Sequence, residues 1–196
     1  MTTMRRVGVF CGSSPGADAA HARSAVELGT ALVSRGLGLV YGGGHVGLMG
    51  VLADAVLAAG GEVLGVITAS LQEREVGHDG LTELRVVDTM HERKAAMADA
   101  ADAFVMLPGG FGTLDEFFEA VTWAQLGIHD KPCAVLDPTG YYAPLLRFLD
   151  DAVTARFLAP QHRALVLRAS SADELFDELA AWTPPDTDKW LDRADR

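Results

Sequence analysis

From Arg5 onward, short apolar and β-branched runs alternate with longer stretches rich in alanine and leucine. The short runs predict strands at 7–10, 37–41, 63–67, 84–87, 104–107, 133–136 and 165–167. Between them the spacing predicts helices at 19–34, 48–59, 91–100, 114–126, 141–155 and 172–181, and Gly36, Gly60 and Gly127 stand where helix C-caps belong. Alternation of this kind is the signature of a parallel sheet covered by helices on both faces. The expected fold class is therefore α/β: a doubly wound, mainly parallel, seven-stranded sheet flanked by helices.

Composition bounds this picture. A chain of 196 residues, 49% hydrophobic and 22% charged, suits one domain with a continuous core, expected over residues 1–183. No internal repeat or linker divides it. The tail at 184–196 begins Pro-Pro-Asp and alternates charges, which reads as loose chain, with Trp190 and Leu191 as its only candidates for docking on a partner subunit. The apolar run Val7 to Cys11 is too short for a signal-peptide core, and nothing approaches a membrane span of ~20 residues, so a soluble cytoplasmic protein is expected, with no membrane partner. A formal charge of -11 opposes nucleic-acid binding, so any anionic ligand must be small and held by local geometry. Cys11 and Cys133 stand at the end and start of predicted strands, where a cysteine acts as a small buried hydrophobe.

Ligands of open α/β sheets sit outside the carboxyl ends of the strands, so the segments that follow strands carry the functional question. Four are unusual: CGSSPG (11–16), GGGHVGLMG (42–50), LQEREVGHDG (71–80) and PGGFGTLDE (108–116). Glycines let the backbone approach a ligand and aim its amides at a phosphate, and a following helix N-terminus adds a favourable dipole. Gly42 to Gly47 formally fits GxGxxG, with Glu62 about twenty residues on. In a dinucleotide fold, however, the ribose-binding acid stands at the carboxyl end of the next strand, whereas Glu62 precedes Val63. GxxxxGK[ST] is missing, which argues against a P-loop nucleotidase. Ser13 and Ser14, with Gly43 and Gly44, are candidate phosphate or ribose contacts.

PGGFGTLDE can hold a phosphate, because Gly109, Gly110 and Gly112 free the backbone and Thr113 offers a hydroxyl and an amide at the helix start. Thr113, Glu116, Ala120 and Trp123 share one side of the following helix, so Glu116 lies one turn deeper than the loop. Asp115 points off that side and is accounted for by complementing the positive helix end. Upstream, TMHERKAAM (89–97) opens another helix, with Thr89 and Glu92 in the form of a capping box. Arg93 then falls on a stripe otherwise made of methionine and alanine, which suggests a purpose for its charge, with Lys94 beside it. Six histidines are scattered without HxxxH or a fitting carboxylate spacing, so no metal is expected.

Together PGGFGTLDE, MHERK and GGGHVGLMG resemble the LOG ("lonely guy") family, the cytokinin riboside 5'-monophosphate phosphoribohydrolases. The likeness runs from Val7 to about Ala181 and includes VTWAQLGIHDKP. It implies a Rossmann-like sheet, a homodimer or larger assembly and no cofactor. It also implies hydrolysis of the N-glycosidic bond of adenosine 5'-monophosphates, N6-modified or plain, to free base and ribose 5-phosphate. The family's catalytic pair corresponds to Arg93 and Glu116. Its substrate contacts correspond to Glu75, Lys94, Gly110, Phe111, Gly112, Thr113, Leu114, Asp115, Glu116 and Thr122.

This chemistry needs no metal. Cleavage of a ribosyl–base bond builds positive charge on the sugar, which a carboxylate such as Glu116 stabilises while it orients or deprotonates water. Two roles suit Arg93: binding the phosphate, or stabilising negative charge on the departing base. Thr122 stands half a turn of azimuth from Thr113 and is expected to contact another part of the substrate or a site shared across a subunit interface. Two other classes compete. A non-catalytic carrier of the molybdenum-cofactor type would use similar glycine loops but would not require Arg93 with Glu116. The lysine decarboxylase label borne by sequences of this family asks for a Schiff-base lysine and a large cofactor pocket, which nothing in this sequence suggests.

Overall fold

The computed structural model describes residues 4–75 and 77–185, with 74 and 75 as backbone only. Its elements in chain order are β1 (Arg6–Phe10), α1 (Ala19–Ser34), β2 (Gly38–Tyr41), α2 (Gly47–Ala58), β3 (Val63–Thr68), α3 (Ala69–Glu75), β4 (Glu83–Val87), α4 (Met90–Ala100), β5 (Ala103–Met106), α5 (Phe111–Gln125), β6 (Cys133–Leu136), α6 (Ala143–Thr154), α7 (Pro160–Arg163), β7 (Val166–Ala169) and α8 (Ala172–Ala181). The seven strands form one sheet in the order β4-β3-β2-β1-β5-β6-β7, with every neighbouring pair parallel.

The central strands β1, β2, β3, β5 and β6 are almost wholly buried because each face meets a helical layer. One core cluster gathers Val7, Val9, Leu39, Tyr41 and Val105 with Leu28, Leu32, Leu52 and Leu175 from α1, α2 and α8. The other gathers Phe10, Val40, Val66, Phe104 and Met106 with Met97, Phe117 and Ala120 from α4 and α5. Alternate residues of one strand thus feed opposite layers.

All seven expected strands form, and α1 and α8 match their expected bounds. Gly36, Gly60 and Gly127 adopt φ of 71, 81 and 69°, the left-handed turn that ends a helix. Two short helices add to the expectation. The segment after β3, read as a loop, begins as α3, started by Thr68, whose Oγ1 accepts from Leu71 N at 3.3 Å. Helix α7 starts on Pro160, whose fixed φ and missing N–H suit a first turn. Helix α5 starts at Phe111 rather than Leu114, and α6 at Ala143 rather than Tyr141. The second shift has a cause: Asp137 accepts from the backbone N of Tyr141 at 2.8 Å and of Tyr142 at 2.7 Å, holding both tyrosines in the preceding loop.

Candidate active site

The strand order reverses direction at β1, which pairs with β2 on one side and β5 on the other. A crevice opens at such a switch point, and the loops after β1 and β5 line it. They touch: Gly12 N donates to Pro108 O at 3.0 Å, and a Cβ on Gly12 would lie 3.2 Å from Gly109 Cα. The loop after β2 closes on them from the other side, with Leu48 N donating to Gly12 O at 3.0 Å and Gly47 packed against the Ser13–Ser14 backbone so closely that a Cβ there would collide with it. Three of the four unusual loops therefore converge on one place.

At the start of α5 the amides of Gly110, Phe111, Gly112 and Thr113 donate to no protein acceptor among the described residues. Gly110 is the N-cap and brings no side chain to the task, so nothing protein-borne covers these donors. Gly110 and Gly112 face open space. Thr113 is buried, with its hydroxyl pressed against Gly109, where a Cβ would collide with it. Four amides aimed outward from a helix N-terminus make a cradle for an anionic group. Phe111, 94% exposed, stands at its rim.

One turn deeper, Glu116 meets Arg93. Arg93 Nη1 lies 3.1 Å from Glu116 Oε1, with the two side chains only 7% and 13% exposed. The other guanidinium nitrogens are also engaged: Nε donates to Val66 O at 2.9 Å and Nη2 to Gly42 O at 3.1 Å. Arg93 therefore ties the residue after β2 and the body of β3 to the carboxylate on α5. The capping box predicted at Thr89 fixes the register of α4 that aims it, with Thr89 Oγ1 accepting from Glu92 N at 3.1 Å and Glu92 Oε2 from Thr89 N at 3.3 Å.

The second glycine loop serves this arginine and the chain beside it. A Cβ on Gly42 would collide with Arg93 Nη2. Gly43, at φ 77°, packs against Ile67 and Val66 and gives its carbonyl to His78 N at 3.1 Å, while Gly44 bridges Gly77. The loop's expected phosphate contacts thus have packing partners within the protein. His78 is buried; its Nδ1 accepts from Gly80 N at 3.1 Å, so its Nε2 donates to Asp54 Oδ1 over 2.9 Å, fastening the segment that follows α3.

Lys94 lies between two carboxylates, 3.2 Å from Asp115 and 3.1 Å from Glu119. Partial burial acts to lower its pKa, but the hydrogen bonds to Glu119 and Asp115 prevail and hold it above the ordinary lysine value. It is a firmly protonated ammonium, the opposite of what a Schiff-base lysine requires. The sequence pattern assigns Asp115 to the positive helix end, but it is the fifth residue of α5, beyond the first turn, and pairs with Lys94 instead. Thr122 is exposed on the outer side of α5 and donates to Phe118 O at 2.6 Å, away from the cradle. Glu75 ends α3, and its side chain lies outside the described residues. Ser13 and Ser14 are exposed on the first loop, and Ser14 Oγ accepts from Gly16 N at 3.3 Å.

Sequence reasoning passed over Asp137, Tyr141 and Tyr142 in the loop after β6. Tyr141 Oη donates to Gly109 O at 2.9 Å and Tyr142 Oη to Leu107 O at 3.0 Å. The signal was present as DPTGYY, an aspartate at a strand end followed by turn residues. Glu62, set aside as a ribose ligand, does lie at the amino end of the sheet, lining a cavity of about 510 Å³ with Arg5, Arg6, Gly38 and Asp102. That cavity lies at the opposite end of the sheet from the cradle; Arg6 Nη2 stands 3.8 Å from Glu62 Oε2 there, and Asp102 Oδ2 accepts from the backbone N of Arg5 at 2.7 Å and of Arg6 at 3.0 Å.

Comparison with known proteins identifies the family. A family profile described as "Possible lysine decarboxylase" matches residues 49–179. The chain is 49% identical over 180 residues to cytokinin riboside 5'-monophosphate phosphoribohydrolase LOG1 of Arabidopsis thaliana, covering 92% of this chain and 84% of that protein. It is 51% identical over 180 residues to cytokinin riboside 5'-monophosphate phosphoribohydrolase LOG of Oryza sativa subsp. japonica, covering 92% and 74%. Among solved structures, the molybdenum cofactor carrier protein of Chlamydomonas reinhardtii superposes with a TM-score of 0.69 at 19% identity, covering 92% of this chain and all of that one. That likeness shows a shared Rossmann-like fold and nothing finer. With half of its residues shared across nearly its whole length, the chain belongs to the LOG family.

Proposed function

We propose that this protein hydrolyses the N-glycosidic bond of adenosine 5'-monophosphates, including N6-modified cytokinin riboside 5'-monophosphates, releasing free base and ribose 5-phosphate. The observation that carries the reading is the pairing of an open four-amide cradle at Gly110–Thr113 with a carboxylate one turn deeper, held by a buried arginine. The cradle takes the 5'-phosphate, so binding energy from a group that does not react positions the one that does. Glu116 then faces the ribose. As the bond from C1' to the base nitrogen lengthens, the carboxylate stabilises the positive sugar and draws a proton from the attacking water. Oxygen of that water ends on C1', and the base leaves with a proton on its nitrogen.

The geometry favours a role for Arg93 other than the two that its sequence position suggested. With Nε and Nη2 on backbone carbonyls and Nη1 on Glu116, it serves to hold and aim the carboxylate. Phosphate recognition falls to the amides, and Lys94 adds positive charge nearby through its grip on Asp115 and Glu119.

The working unit on this reading is a homodimer. Thr122 faces outward from its own site, as a residue serving a site shared with a second copy would, and Leu126 and Ile128 at the end of the same helix are exposed. No helix of the described residues is long and apolar enough to cross a membrane; on this reading the reaction takes place in the cytoplasm. Incubation with isopentenyladenosine monophosphate and with AMP, followed by chromatography for free base, tests the proposal. Release from either supports it, and no release of base from either by folded protein overturns it.

A further inference from the structure

The turn between β5 and α5 is unusual in how completely its carbonyls are assigned. Leu107 O accepts from Tyr142 Oη at 3.0 Å, Pro108 O from Gly12 N at 3.0 Å, Gly109 O from Tyr141 Oη at 2.9 Å and Gly110 O from Leu114 N at 3.1 Å. Two of these four donors are tyrosine hydroxyls from one loop, the segment after β6. Asp137, 2% exposed, holds that loop: Oδ1 accepts from Tyr141 N at 2.8 Å and Thr139 Oγ1 at 3.2 Å, and Oδ2 accepts from Tyr142 N at 2.7 Å.

Tyr142 is buried and packs in the core, so its presence has an ordinary explanation. Tyr141 does not. Its ring is 49% exposed and meets only the edges of Tyr142 and His21, at centroid distances of 4.7 and 5.7 Å among the ring contacts. Its specific contact is the hydroxyl on Gly109 O. In a planar trans peptide the C=O and the next N–H point opposite ways. Fixing Gly109 C=O toward Tyr141 therefore fixes the Gly110 N–H on the far side of the same peptide, with the open amides of the cradle. Glycine flanks this peptide on both sides, where rotation of the peptide plane meets the least steric resistance, so a pin is needed to hold one orientation.

We propose that Tyr141 is a positioning residue for phosphate recognition: its hydroxyl sets the Gly109–Gly110 peptide so that the Gly110 amide faces the bound phosphate. This rests on the reading of the Gly110–Thr113 amides as the phosphate cradle. Tyr141 acts through the backbone and does not touch the reacting atoms.

The test is Tyr141→Phe in the full chain, with binding of inorganic phosphate, AMP and adenosine measured by calorimetry, alongside steady-state AMP hydrolysis and thermal unfolding. Loss of one neutral hydrogen bond predicts an affinity about fivefold weaker for inorganic phosphate and AMP, with adenosine binding unchanged. KM for AMP rises with it while kcat stays within about twofold, because the lost contact is uniform to ground and transition states. Tyr141→Ala is expected to lose no more than Tyr141→Phe, since the hydroxyl and not the ring does the positioning. Unchanged phosphate and AMP affinity, an equal loss for adenosine, or a loss in Tyr141→Ala alone would each overturn the proposal, as would a wild-type protein that binds neither phosphate nor AMP. A protein that binds phosphate through Tyr141 yet releases no base sinks the hydrolase reading and leaves this one standing.

Discussion

Replacing Arg93 by alanine separates a residue that holds the site together from one that only meets substrate. The side chain is buried, and its three nitrogens engage Glu116, Val66 O and Gly42 O. Removal leaves a carboxylate that is 13% exposed without its cation and two backbone carbonyls without their donor. Breaking a buried ion pair by deleting one partner costs about 3–5 kcal/mol, most of it for the stranded charge. At about 2–4 °C per kcal/mol for a chain of this size, the melting temperature should fall by about 6–20 °C. Arg93→Lys should fall between, because one ammonium cannot reach acceptors on three sides in the fixed fork of a guanidinium. Glu116→Gln should be milder than Arg93→Ala, since the amide keeps an oxygen for Nη1. The assay is thermal unfolding by circular dichroism in one buffer, with AMP hydrolysis measured on the same preparations. A melting temperature for Arg93→Ala within about 2 °C of wild type, together with lost turnover, would refute the reasoning, because the arginine would then act on substrate without supporting the fold.

Three further outcomes follow from the geometry. Glu116→Gln should lower kcat by about 10²–10⁴ while AMP affinity stays nearly constant by calorimetry, and near-normal turnover would remove Glu116 from the acid–base role. Gly42→Ala puts a methyl into the place of Arg93 Nη2 and should cost about 1–3 kcal/mol in thermal unfolding together with much of the activity; an unchanged melting temperature would show that the arginine is not confined there. His129 has its pKa lowered by burial and by Lys131 nearby, and its Nδ1 accepts from Lys131 N at 3.1 Å. Because the folded value lies below the unfolded one, the unfolded chain takes up a proton first as pH falls; the contribution is present above about pH 6.5 and is lost on acidification through the folded pKa. Melting temperatures between neutral and mildly acid pH should therefore fall less steeply for His129→Gln than for wild type, and equal slopes would refute this origin.

The sheet was legible because its strands are short, apolar and separated by helical spacing, and the two kinds of helical cap with unambiguous chemistry, Thr89 with Glu92 and the glycines after α1, α2 and α5, are local effects. What sequence could not supply was partner identity across the fold. Arg93 is 51 residues from Gly42 and 27 from Val66, and periodicity along α4 says that it faces inward but not what it meets there. The same limit misassigned Asp115, whose lysine lies 21 residues upstream on another helix. Gly43 and Gly44 of the second loop are candidate phosphate or ribose contacts because glycine marks close approach without naming what approaches; in the structure Gly43 packs on a neighbouring strand, and Gly42 before it on an arginine. Tyr141 escaped notice because a tyrosine at a helix start has an ordinary reading, and only Asp137 keeps it out of that helix.

The comparison with the molybdenum cofactor carrier shows why the fold by itself leaves function open. A sheet that reverses at β1 presents glycine loops after β1 and β5 to one crevice whatever is bound there, and open amides suit any phosphorylated ligand. Such a cradle lowers the free energy of binding equally before and during a reaction, so alone it makes a carrier. Turnover requires a group that interacts more strongly as charge develops at the sugar. A buried carboxylate fits that requirement only if something keeps it ionised in the absence of substrate, since burial by itself favours the neutral acid. On the proposed function Arg93 is the cation that meets that need, anchored by Val66 O and Gly42 O on its other nitrogens. On that proposal the difference between holding a nucleotide and cleaving it rests on where one guanidinium is anchored. A chain of this fold with the glycine loops intact but without this arginine and glutamate should bind AMP and leave it whole.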